Sequence, residues 1–134
     1  MSSRLKMRKK VLFVFLMLGI TSSMLSQNKK KNAKVIINVD GVCMMCKKRI
    51  EKAALSMKGV KYANWNVETH DLILIFDERK TELNLIKQKV AKVGHDTKEV
   101  KASQIDYDNL HPCCKYRDED VKNDHKKRLK KNRA

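Results

Sequence analysis

The chain has 134 residues, with 31 lysines and arginines against 15 aspartates and glutamates, four histidines, four cysteines and a net charge of +16. That length fits one small domain with extensions and excludes a second large core. The distribution of the charge argues against nucleic acid: residues 35–114 hold 13 basic and 11 acidic side chains, so the excess lies in the ends of the chain, where basic tails either sit free in solvent or approach an anionic surface.

In chain order, residues 1–10 carry Arg4, Lys6, Arg8, Lys9 and Lys10 with no acid, residues 11–20 are apolar throughout, and small residues follow up to Ser26. This is the layout of a secretory signal peptide over 1–26, cleaved after Ser23 or Ser26. The apolar run is shorter than the about 20 residues a spanning helix needs. The protein is therefore expected to be exported, to the periplasm if the source is a Gram-negative bacterium, with membrane association only through an uncleaved leader or the basic tails. A basic linker over 27–33 follows.

Val35, Ile37 and Val39 then alternate with other residues as a short strand, which Asp40-Gly41 breaks. A helix is predicted over 46–57, with Ile50, Ala53, Ala54 and Met57 at spacings of three and four on one face. Lys58-Gly59 ends it. Two strand patterns, 60–67 and 72–76, joined around residues 68–71, read as an antiparallel hairpin. Thr81 is placed to cap a second helix with Leu83, Ile86, Val90 and Val93 as its buried stripe and Gly94 at its end. A weak last strand is predicted over 97–102. The order βαββαβ is that of an α+β, ferredoxin-like sandwich: a four-stranded antiparallel sheet with two helices on one face, spanning 34–102. Beyond it, residues 103–134 lose periodicity and read as a Cys-Cys-containing extension and basic tail, with a frayed helix at most.

The chemistry concentrates at Cys43-Met44-Met45-Cys46. A helix starting near Cys46 would place its unpaired amides and positive dipole end beside both sulfurs, favouring thiolates. Two thiolates at this spacing can bracket one soft cation; copper(I) accepts such low coordination by sulfur, whereas structural zinc wants four protein ligands. Neighbouring cysteines do not suit a framework disulfide. Met44 and Met45 are expected to shape the loop rather than ligate, and His70 and His125 to be solvated. His111, Cys113 and Cys114 leave four roles open: a second metal site, completion of the site at Cys43 and Cys46, disulfides, or no special role. The chain offers no acid/base pair, nucleophile constellation or phosphate-binding glycine loop, so no enzyme activity is expected.

Together Cys43-Met44-Met45-Cys46, Ile50-Glu51-Lys52-Ala53, Gly59-Val60, Leu74-Ile75-Phe76-Asp77 and Gly94-His95-Asp96 resemble the heavy-metal-associated domain of copper chaperones, the periplasmic mercury-binding protein and metal-transporting ATPases. The resemblance implies a carrier or scavenger that holds its cargo between Cys43 and Cys46 and hands it over by ligand exchange. Copper(I) is the first candidate, then mercury(II), zinc or cadmium, and the implied partner is a metal-transporting ATPase or efflux component. It also places His95 where the family often has a side chain close to the metal. Three roles stay open for it: third ligand, donor to a ligand, ordinary turn residue. One departure is visible, Gly41 standing where the family usually has methionine. The competing functions are an extracytoplasmic thiol-disulfide oxidoreductase and a docking module that carries no cargo.

Overall fold

The computed structural model describes residues 28–131. The signal peptide expected over 1–26, with its cleavage points, lies outside the described residues. Strands β1 (Ala33–Asn38), β2 (Val60–Trp65) and β3 (Asp71–Phe76) form one antiparallel sheet in the order β1-β3-β2. Helices α1 (Met44–Leu55) and α2 (Leu83–Lys92) follow β1 and β3, and α1 packs against both β2 and α2. The protein is α+β with the ferredoxin-like order.

The strand period of two decides which side chains enter the core. Ala33 and Ile37 of β1, Ala63 and Trp65 of β2, and Leu72, Leu74 and Phe76 of β3 are all buried. The register pairs Ile37 with Leu72, and Trp65 with Leu72 from the other side, so these rows stack beneath the helices. From α1 the face is Cys46, Ile50, Ala53 and Ala54; from α2 it is Ile86, Val90 and Ala91. Each fully buried Ile, Leu or Phe contributes about 1.5–3 kcal/mol. Glu51 locks α1 to the end of β2: its Oε1 accepts from Trp65 N at 2.8 Å and from Lys47 Nζ at 2.5 Å, and the same Nζ donates to Trp65 O at 2.6 Å.

Two local expectations shift. Glu82, and not Thr81, is the N-cap of α2, and the buried hydroxyl of Thr81 has no partner among the described residues. The fourth strand contracts to one bridge, Val39 with Thr97. Residues 96–102 close into a turn: Thr97 N donates to Val100 O (2.8 Å), Val100 N to Thr97 Oγ1 (2.9 Å), and Ala102 N to Asp96 Oδ1 (2.7 Å). A turn closed in this way has few backbone groups left for a ladder.

The extension is more ordered than its sequence suggests. It forms α3 (Gln104–Asp108), a 3₁₀ turn (Pro112–Cys114) and α4 (Glu119–Lys131) in place of a frayed helix. Tyr107, Leu110, Cys114 and Tyr116 are buried in the same core as the sheet and helices. No helix among the described residues is long and apolar enough to cross a membrane.

Candidate metal centre

Helix α1 starts two residues earlier than the periodicity predicts, so both cysteines of the motif lie at its first turn. Cys43 is the N-cap, with extended backbone (φ −148°, ψ 171°) and an Sγ that accepts from Cys46 N at 3.4 Å. The two sulfurs are 3.3 Å apart. Cys46 is fully buried, Cys43 half-buried, and Met44 and Met45 are exposed. All four cysteines are free thiols.

The extension brings the other pair to the same place. Cys114 Sγ lies 3.6 Å from Cys43 Sγ and 3.9 Å from Cys113 Sγ, and the sulfurs of Cys43, Cys113 and Cys114 all fall within 4.8 Å of one another. His111 stands beside this group: the Cys113 amide and thiol approach its Nδ1 at 3.4 and 3.2 Å. His95 takes a different position. It is fully buried, its Nδ1 donates to Asp40 O at 2.9 Å, and its ring stacks on Tyr116 at 5.6 Å. Its Nε2 has no partner among the described residues. Desolvation, opposed by the bond to Asp40 and reinforced by Arg49, pushes its pKa down to about 4, so the ring is neutral at physiological pH. The histidines expected in solvent are half-buried: His70 stacks on Trp65 at 5.7 Å, and His125 Nε2 donates to Cys113 O at 3.0 Å.

The thiols differ in acidity. Burial works to raise Cys43, but hydrogen bonds from the Cys46 amide and from the Cys46 and Cys114 thiols outweigh it, and its pKa ends lowered. Cys46 is pushed up to about 11, first by burial, with the Val42 backbone pulling the other way and Cys43 adding to the rise. Cys114 is pushed well up, first by burial and then by Cys46 and Cys43. Cys43 is thus more acidic than its buried neighbours, which keep their protons until a cation displaces them, so uptake of a metal releases protons.

A family model for the heavy-metal-associated domain matches residues 36–96. A solved copper form of a CopA variant from Bacillus subtilis is 33% identical, over 49% of this chain and 88% of its own (TM-score 0.44). Residues 36–96 belong to the heavy-metal-associated domain family. Other similar structures are the CopZ metallochaperone, 29% identical over 48% of this chain and 98% of its own (TM-score 0.47), and oxidised MerP from Ralstonia metallidurans CH34, 22% identical over 48% and 94% (TM-score 0.43). No curated protein matches the chain.

In this heavy-metal-associated domain the departure at Gly41 has a packing cause. A β-carbon there would lie 3.0 Å from two atoms of the Trp65 ring and 3.1 Å from Cys46 Cβ. The indole, whose Nε1 donates to Val39 O at 3.0 Å, fills the space beneath the loop. Sequence reasoning missed the groups that hold the extension down. Tyr116 Oη accepts from Asp96 N and donates to Gly94 O, both at 2.9 Å, and Arg117 Nη2 donates to Asp96 Oδ1 at 2.8 Å. A signal was present, since tyrosines at 107 and 116 are out of character for a solvated tail.

Proposed function

We propose that this protein is a carrier or scavenger of soft metal ions, copper(I) first, that binds its cargo through Cys43 and Cys46 and releases it by ligand exchange. One observation carries the reading: two free thiols 3.3 Å apart at the first turn of α1, one half-exposed and with a lowered pKa, inside a heavy-metal-associated domain. Soft sulfur ligands select copper(I) among the common cellular cations, and mercury(II), zinc and cadmium share the preference. The half-exposed Cys43 gives incoming sulfurs a point of attack, so cargo can pass to an acceptor without entering water. The acceptor we propose is a metal-transporting ATPase or efflux component. Export rests on the basic and apolar leader of residues 1–26, and the role asks for no chemistry beyond binding and exchange.

Native mass spectrometry of the reduced chain with copper(I) tests this. The wild type should take up the ion tightly, and Cys43→Ser and Cys46→Ser should each lose tight uptake. Equal uptake by both variants would remove the reading.

A further inference from the structure

The extension delivers a buried thiol to the CxxC pair, and nothing in the carrier reading requires it. A two-sulfur carrier needs only Cys43 and Cys46. Yet Cys114 is fully buried with its sulfur 3.6 Å from Cys43, and Cys113 lies half-buried 3.9 Å further on. Resting on the reading that Cys43 and Cys46 bind the ion, we propose that Cys114 is a third metal ligand supplied by the chain itself, closing the pair into a three-sulfur centre that slows the exchange of copper(I) to an acceptor.

The spacing puts the sulfurs of Cys46 and Cys114 each within reach of an ion bound at Cys43. With metal–sulfur bonds of about 2.3 Å, a linear two-sulfur site separates its sulfurs by about 4.6 Å, a trigonal one by about 4.0 Å and a tetrahedral one by about 3.8 Å. The separations here, 3.3 Å for Cys43 with Cys46 and 3.6 Å for Cys43 with Cys114, are shorter than the trigonal value, so these pairs open by only about 0.7 and about 0.4 Å to share one ion.

The third sulfur is also held in place before any ion arrives. Cys114 N donates to His111 O at 2.7 Å, and two residues on Tyr116 is pinned between Asp96 N and Gly94 O. On the other side Lys115 Nζ donates to Tyr107 O (3.0 Å) and Asp108 O (2.8 Å), while His125 Nε2 donates to Cys113 O (3.0 Å). A ligand fixed in this way adds its bond without the ordering entropy that a free strand or a second protein would lose. It also competes with any acceptor: incoming sulfurs must displace Cys114 as well as both sulfurs of the CxxC pair before the ion leaves this chain. Cys113, the less buried of the adjacent pair, is left at the outer side of the centre. No covalent step is involved; each thiol that binds gives its proton to water.

X-ray absorption on the reduced full chain loaded with one equivalent of copper(I), paired with competition against a chelator, tests the proposal. The wild type should show three sulfurs per copper. Cys114→Ser should show two and lose at least about tenfold in affinity, the scale on which losing one metal-site partner is felt; Cys113→Ser should keep three. Two sulfurs per copper in the wild type overturns the proposal, and because that reading needs no variant it stands even if Cys114→Ser disturbs packing. Unchanged affinity and sulfur count in Cys114→Ser overturns it equally. Either result leaves the carrier reading intact as long as Cys43→Ser loses tight binding, whereas full binding by Cys43→Ser would defeat the carrier reading itself.

Discussion

Gly41 and His95 show how single residues shape the centre without touching its sulfurs. The missing side chain at Gly41 makes room for the Trp65 indole, so Gly41→Met would force a large group into filled space. Overpacking of this kind costs about 1–3 kcal/mol, and denaturant unfolding of the reduced chain should show the loss, with Gly41→Ala affected less. The glycine was legible as a departure from the family pattern; the tryptophan that explains it was not, because 24 positions separate them and only folding brings them together. His95 makes a second prediction. Its folded pKa of about 4 lies below the ordinary 6.5, so the unfolded chain binds the proton more readily. The stabilisation is complete above pH 6.5 and is lost as pH falls toward 4. The loss is about 3 kcal/mol, and His95→Gln should flatten the stability profile between those values.

Among the elements, the helices and hairpin were legible because amphipathic periodicity is a local signal. Ile50, Ala53 and Ala54, and Ile86 with Val90, are buried as their spacing predicts. The fourth strand was less legible, because the side chains of Thr97 and Asp96 capture the amides a ladder would use. The extension was illegible for another reason: Ala102, Tyr107, Leu110, Cys114 and Tyr116 are buried but follow no period that would announce it. Gly94 is where the extension lands. Its φ of 92° belongs to glycine, and a β-carbon there would lie 2.7 Å from Asp106 O and 2.8 Å from Leu110 Cγ. Gly94→Ala should therefore destabilise the fold by about 1–3 kcal/mol and speed hydrogen exchange across residues 103–117 more than across the sheet. Helix α4 buries none of its side chains and relies on charge: Glu119 and Asp120 in its first turn, Arg128, Lys130 and Lys131 in its last, and ion pairs from Lys122 to Glu119 (2.7 Å) and Arg128 to Asp124 (2.9 Å). Such pairs and dipole contacts are screened by salt. Circular dichroism at 222 nm should accordingly weaken from low to high ionic strength, and it should do so less in a chain ending at Arg117.

For the molecule as a whole, the sequence made the CxxC pair legible but left the second cysteine pair with four roles open. Deciding among them takes the path of the extension, which runs over Gly94 and Asp96 and back to the first loop. The same path explains why a domain whose central span is near neutral in charge can carry so basic a terminal segment: the apolar residues up to Tyr116 dock, and most of the positive charge stays in solvent on α4. The central claim is that the sulfurs at the start of α1 hold a soft ion. Titrating copper(I) into the reduced full chain against a competing chelator measures it directly. The account predicts one tight site in the wild type and its loss in the Cys43→Ser/Cys46→Ser double variant; a double variant that competes as well as the wild type would contradict it.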